Sequence, residues 1–212
     1  VAVFGPSAAA AQLEGSKSFA KAFMARHEIP TAAYRAFSDL DEALAYVHER
    51  GGRSVIKADG LAAGKGVAMC ESPEDAERAL REMMAEKRFG DAGNSVVIED
   101  WLLGEEASYY AISDGEHFVT LAAAQDHKRA LDGDLGENTG GMGAYSPSQL
   151  LTQELEKKIK NKIINPTLKA LKNLDHPYRG FLYTGLMVSD GEPYLIEYNI
   201  RMGDPECQVI MM

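Results

Sequence analysis

Two periods run through the apolar residues of this chain. One, of three to four residues, predicts helices; the other, of two, predicts strands. Ser16 precedes a stripe of Phe19, Phe23 and Met24, which predicts a helix from 17 to about 27. Pro30 closes the turn after it, so this segment reads as a connector. Residues 31–37 read as extended. Ser38, with Asp41 three positions on, resembles a capping box opening a helix whose Leu40, Ala43, Leu44 and Val47 face a core, and Gly51-Gly52 ends it. Residues 54–57 and 66–69 predict two strands joined by a glycine-rich turn. Ser72-Pro73-Glu74-Asp75 then caps a helix carrying Ala76, Ala79, Leu80 and Met83, and Gly90 and Gly93 break the chain before a strand at 96–99.

Beyond Trp101 the strands lengthen. Residues 106–113 and 117–124 form a hairpin-like pair across Asp114-Gly115, and a polar, glycine-rich passage fills 125–145. A helix spans about 152–173 through Leu155, Ile159, Ile163, Leu168 and Leu171, bent at Pro166, and 181–188 then pairs with 194–199. The pattern predicts a mixed α+β protein. Its expected parts are 1–30, the end of an N-terminal lobe with a linker helix; 31–100, a small lobe bearing a glycine-rich flap; and 101–212, a larger lobe. Residues 1–11 are apolar but lack a basic leader and are interrupted by Gly5-Pro6. They read as the end of a strand entering a turn rather than as a secretion signal. With no initiator Met and no stop signal after Met212, the sequence reads as a piece of a longer protein.

Composition narrows the partners. A formal charge of −10 argues against a nucleic-acid backbone as the main ligand, so any anion site must be local. Cys70 and Cys207 lack metal-ligand spacing and favour a reduced, cytoplasmic protein, and no run is long enough to span a bilayer.

Local chemistry is richest at two places. Lys57-Ala58-Asp59-Gly60-Leu61-Ala62-Ala63-Gly64-Lys65-Gly66 has the look of a phosphate cradle. It is not a Walker loop, because three residues rather than four separate Gly60 from Gly64, Gly66 stands where Ser or Thr should reach magnesium, and a strand follows instead of a helix. A glycine turn between antiparallel strands is instead a flap whose backbone N–H groups and Lys65 can fold over a triphosphate, with Lys57 at its root. The second place is Glu197-Tyr198-Asn199. Side chains two apart on a strand share a face about 6.6 Å from each other, so a carboxylate and an amide can both reach one magnesium ion that keeps its other positions for phosphates and water.

Between them, the 97–102 segment with Glu105-Glu106 suits a lobe junction meeting an adenine edge and a ribose. Gln125-Asp126-His127-Lys128-Arg129 gathers charge, and Asn138-Thr139-Gly140-Gly141-Met142-Gly143-Ala144-Tyr145 allows close backbone approach to a ligand. Arg201 directly follows the metal strand, where it can meet a transferring phosphoryl group, and Asp204 can meet a substrate ammonium.

Taken together, the flap, the 125–129 run, the 138–145 loop and Gly203-Asp204-Pro205-Glu206 closely resemble glycinamide ribonucleotide synthetases, the phosphoribosylamine-glycine ligases. The resemblance implies an ATP-grasp fold with two lobes enclosing the nucleotide. It implies a ligase of purine synthesis acting on glycine, 5-phosphoribosylamine and ATP with Mg2+ or Mn2+, and a parent chain with further N- and C-terminal lobes. Another carboxylate–amine ligase of the superfamily, or a nucleotide-binding module without catalysis, is the alternative.

By position, the resemblance implies that Lys57, Gly64, Lys65 and Gly66 contact phosphates. Glu99, Asp100, Trp101 and Leu102 would meet adenine and Glu106 the ribose, with Lys65 and Arg201 as catalytic groups and Glu197 and Asn199 as metal ligands. Asp126, His127, Lys128, Asn138, Thr139, Gly140, Gly141 and Asp204 would face the substrates. Glu137, where the family often has Pro, and Ile200 and Met202, where Cys and Phe are common, are the departures.

Overall fold

The structure is a computed structural model that describes residues 3–62, 65–127, 129–133, 135–139 and 141–212. Two helices open the chain, α1 (Ala8–Gly15) and α2 (Lys17–Arg26). The first takes up the end of the apolar stretch 1–11; of the strand end expected before Gly5-Pro6, residues 1 and 2 lie outside the described residues and Val3 and Phe4 are not in a strand. Four consecutive alanines, the best helix formers, follow Ser7, whose hydroxyl accepts the Ala10 N–H, and the local propensity prevails over the apolar look of the segment.

Strands β1 (Tyr34–Phe37), β2 (Ser54–Ala58), β3 (Val67–Cys70) and β4 (Val96–Asp100) build one antiparallel sheet in the order β1-β4-β2-β3. Helices α3 (Leu40–Arg50) and α4 (Pro73–Leu80) belong to the same unit. The cap of α3 is Asp39, which accepts the Glu42 N–H at 3.0 Å, one residue later than the expected Ser38. Aspartate adds negative charge at the positive end of the helix, which a serine would not. Ser72 caps α4 as expected, with Pro73 at its first turn. Ala43, Val47, Ala76, Leu80 and Met83 pack on Ile56, Ala58, Val96 and Ile98 to form the first core.

A second antiparallel sheet, in the order β12-β11-β5-β6, contains β5 (Glu105–Asp114), β6 (Phe118–Thr120), β11 (Arg179–Ser189) and β12 (Glu192–Asn199). Short pairs carry the polar passage: β7 (Gln125–Asp126) with β10 (Ala144–Tyr145), and β8 (Arg129–Leu131) with β9 (Leu135–Asn138). The predicted long helix is α5 (Gln153–Ile159), a wide π-type turn over Lys160–Ile164, and α6 (Asn165–Asn173). The wide turn lies directly before Pro166, whose missing N–H and bulky ring disfavour the regular ladder there. A last short helix, α7 (Glu206–Ile210), follows β12. The second core draws Leu13, Phe23 and Met24 from the opening helices against Tyr109, Leu182, Leu195, Ile159 and Ile163, so the N-terminal segment packs with this larger sheet. Among the described residues no helix is long and apolar enough to cross a membrane.

Candidate nucleotide and substrate cleft

The two sheets meet along a cleft of about 290 Å3. Strand alternation decides what reaches it. Ile56, Ala58, Val96 and Ile98 enter the helix-covered core, so Val55, Lys57 and Glu99 face the other way and line the cleft, with Val67 and Met69 of β3 beside them. On the opposite sheet, Ala107 and Tyr109 enter the second core while Glu106 faces the cleft.

Strand β12 does this differently. Leu195 and Tyr198 are both in the core although three positions separate them, and regular alternation would send Glu197 there with Leu195. Pairing with β11 runs from Gly185 opposite Glu197 to Leu186 opposite Leu195, so Ile196 is a bulged residue. The extra residue switches the phase of the strand and turns Glu197 and Asn199 to the cleft together.

The cleft wall carries a buried ionic triad. Lys21 Nζ and Lys57 Nζ each lie 2.9 Å from a different oxygen of Glu99, and all three side chains are at most 5% exposed. Lys21 also donates to Thr31 Oγ1 at 2.6 Å, Thr31 donates to the Leu195 carbonyl at 2.6 Å, and Lys57 donates to the Ile196 carbonyl at 3.3 Å. These bonds lace the two sheets at the base of the cleft. Burial pushes the Lys21 ammonium down to about 8 against the pull of Glu99. Two cations around one carboxylate leave the triad net positive, which suits a polyphosphate. Glu99 Oε1 lies beside Lys57 without a well-aligned hydrogen bond, which leaves it able to accept one from a ligand N–H.

Lys17, from the first turn of α2, also lines the cleft and donates to the Gly60 carbonyl at 3.1 Å. Burial lowers its pKa, opposed chiefly by Glu197. Asp59 fixes this helix end to the root of the flap. Its carboxylate accepts the Ser18 N–H at 2.7 Å and the hydroxyls of Ser16, Ser18 and Ser95 at 2.8–3.0 Å. Burial alone would raise the Asp59 pKa; these bonds outweigh it and hold the carboxyl below its ordinary range.

Of the residues picked from sequence as nucleotide contacts, Lys57, Gly66, Glu99, Asp100, Leu102 and Glu106 line the cleft. Asp126, Thr139, Glu197, Asn199, Arg201 and Asp204, picked as metal, catalytic or substrate contacts, line it as well. Arg201 is held by Glu14, whose Oε1 accepts from Nε at 3.1 Å, and by the Asn199 amide oxygen at 3.3 Å from Nη2. Asp100 pairs with Arg50, and Trp101 sits against the Arg53 guanidinium at 5.4 Å, outside the lining. Lys65 is exposed at the flap, His127 stacks on Tyr145 with ring centroids 5.7 Å apart, and Gly141 approaches Asp204 and Pro205. Gly64, Lys128 and Gly140 lie outside the described residues, and only the strand position of Asn138, at the end of β9, is described.

Sequence reasoning missed Glu14, Lys17, Lys21 and Glu206 on the cleft wall. The segment read as a connector therefore forms part of the site. Its signal was Lys17 and Lys21 four apart, in line with Ala20 and Met24, where a solvated face would not mix lysine with an apolar stripe.

The donor set fits magnesium. Glu197 and Asn199 bring a carboxylate and an amide to one face, with Asn199 Nδ2 3.5 Å from Glu197 Oε1, so a half-turn of the amide sets two hard oxygens side by side. Among the described residues no three His, Cys, Asp or Glu gather as a soft-metal cage would require.

Comparison with known proteins agrees with this geometry. The family described as "Phosphoribosylglycinamide synthetase, ATP-grasp (A) domain" matches residues 15–207. The chain is 56% identical over 211 residues to a phosphoribosylamine–glycine ligase of Vibrio vulnificus, covering 99% of this chain and 49% of that one. It is 54% identical to the enzyme of that name from Pseudomonas aeruginosa, with the same coverage. The chain thus spans about half the length of the curated relatives it matches. Among solved structures, the phosphoribosylamine–glycine ligase of Thermotoga maritima superposes with a TM-score of 0.88 at 41% identity, over 99% of this chain and 53% of that one. A biotin carboxylase from Campylobacter jejuni reaches 0.78 at 21% identity, over 98% of this chain and 45% of that one, and shares the fold alone. This chain belongs to the phosphoribosylglycinamide synthetase family and has its ATP-grasp fold.

Proposed function

We propose that this chain supplies the ATP-grasp part of a phosphoribosylamine–glycine ligase. The reaction joins glycine to 5-phosphoribosylamine through a glycyl phosphate and yields glycinamide ribonucleotide, ADP and phosphate in purine synthesis. One observation carries the reading: Lys57, Glu99 and Glu106, read as nucleotide contacts, and Asp126, Glu197, Asn199, Arg201 and Asp204, read as metal and substrate contacts, are far apart in sequence yet border a single cleft. In this reading residues 31–100 and 101–212 act as two lobes around the nucleotide, with 1–30 as a brace.

A carboxylate cannot expel oxide, so glycine must first be phosphorylated, and the amine then displaces phosphate. The protein's task is to position reactants and balance charge during phosphoryl transfer. Lys57 and Lys17 meet the polyphosphate, with Lys65, Gly64 and Gly66 closing over it. Glu99, Asp100, Trp101 and Leu102 hold the adenine, and Glu106 the ribose hydroxyls. Glu197 and Asn199 would hold Mg2+ or Mn2+, which when bound neutralises phosphate oxygens. Arg201, held by Glu14, meets the transferring phosphoryl group. Asp126, His127, Lys128, Asn138, Thr139, Gly140, Gly141 and Asp204 form the substrate side. No side-chain nucleophile is needed, and burial pushes the Cys70 thiol up to about 11, away from thiolate chemistry.

The test is ADP release from a chain of the relatives' full length carrying this sequence. ADP and glycinamide ribonucleotide should form one for one, only with glycine and phosphoribosylamine both present. Turnover with a different carboxylate and no response to glycine would overturn the assignment.

A further inference from the structure

Glu206 is a buried carboxylate on the cleft wall, and among the described residues no cation lies beside it. It is 3% exposed, and its Oε1 accepts the Ser108 hydroxyl at 2.8 Å. No Lys, Arg or His pairs with it among the described residues. Gly203 makes its position available, because a Cβ there would collide with Glu206 Oε2 and with Tyr110 Oη. Burial pushes the Tyr110 phenol far above its ordinary range, so the neighbour is a neutral hydroxyl and supplies no counter-charge. A buried carboxylate without a cation is costly, and the cost falls when a ligand brings one. Asp204, two residues earlier, is exposed and already accepts from Gln208 Nε2 at 2.7 Å.

We infer that Glu206 is the subsite for the ammonium group of the amino-acid substrate. The inference rests on the ligase reading above. Of the proposed organic reactants, glycine brings an ammonium group as a zwitterion at neutral pH, whereas the attacking amine of phosphoribosylamine has to be neutral. The turn from Arg201 to Glu206 has a guanidinium at one end and a buried carboxylate at the other, an arrangement that complements a zwitterion with its carboxylate towards the phosphoryl group. Ser108 and Gly203 hold Glu206 in place, and Asp204 is left at the cleft mouth.

Glu206→Gln in a full-length chain tests this, since the amide oxygen still accepts from Ser108. The Michaelis constant for glycine should rise about tenfold to a hundredfold, the loss expected for one charge-assisted bond, while that for ATP stays within about twofold. The preference for glycine over acetate, read as ADP release with hydroxylamine trapping, should collapse as well. An unchanged glycine constant, or equal losses for glycine and ATP, would overturn the subsite. If Glu206→Gln does not fold, Glu206→Asp decides: the glycine constant should rise at an unchanged ATP constant, and no rise overturns the inference. A wild-type enzyme unresponsive to glycine would instead defeat the ligase reading itself, which separates the two failures.

Discussion

Lys21, Glu99 and Lys57 show how one residue's surroundings decide its use. Each lysine is tolerated in the interior because Glu99 lies between them, and Glu99 because two cations flank it. Glu99→Gln should therefore destabilise the fold by about 3–5 kcal/mol, measured by urea unfolding, because two ammonium groups are left facing each other. The Lys21 shift gives a second expectation. Its ammonium titrates near 8 when folded and near 10.5 when exposed, so between those values the unfolded chain binds the additional proton. Stability should rise as pH climbs through that window, and below about 8 the burial cost is constant. The charged or titratable groups around it are Glu99, Lys57 and Tyr34. Urea midpoints across the window should rise less in Lys21→Met than in the wild type, and parallel curves would remove Lys21 as the source. Glu197, half-buried on the cleft face, should tolerate replacement by Ala with an unchanged melting temperature but lose metal-dependent turnover.

At the level of elements, the sequence was most legible where one local rule acts alone. The Ser72-Pro73 cap and the strands at 54–57 and 96–99 were read directly, whereas the shared face of Lys57 and Glu99 follows from the register of the two strands. The pairing of Glu197 with Asn199 was also read, but on the premise of a regular strand. Their common face follows from alternation, but the bulge at Ile196 is what turns that face to the cleft, and bulges arise from the partner strand's register, which a single strand's composition does not carry. The helix at 17–26 was read, but its place on the cleft was missed for a related reason. Its role depends on Asp59, more than thirty residues away, whose bonds to Ser16 and Ser18 bring Lys17 to the cleft. Asp59→Asn should cost about 1–3 kcal/mol through the loss of charge-assisted bonds and raise the Michaelis constant for ATP by displacing Lys17. Because the Asp59 carboxyl is held below its ordinary 3.8, its contribution is present above that pH and lost as pH falls below it, so the variant's deficit should shrink in acid.

For the whole molecule, positive charge is concentrated at one spot. The chain carries −10 overall and carboxylates outnumber cations along the cleft, yet its base gathers Lys17, Lys21 and Lys57 around Glu99, with Glu197 and Asn199 opposite. A polyanion without a cation would meet Glu197 and be repelled, whereas its magnesium complex satisfies both walls. Nucleotide and metal should therefore stabilise the protein only together, by adding a link between two sheets that Thr31, Lys21 and Lys57 join at the base. With Mg-ATP at about a hundredfold over its dissociation constant, linkage predicts about 2.7 kcal/mol of stabilisation, or a melting shift of about 5–10 °C for a domain of this size. Chelating the metal at the same ATP concentration should abolish most of that shift, and Glu197→Ala should show the small shift even with magnesium present. A full shift from ATP in excess chelator, measured by calorimetry, would mean that the lysine wall alone binds the nucleotide and that Glu197 and Asn199 serve something else.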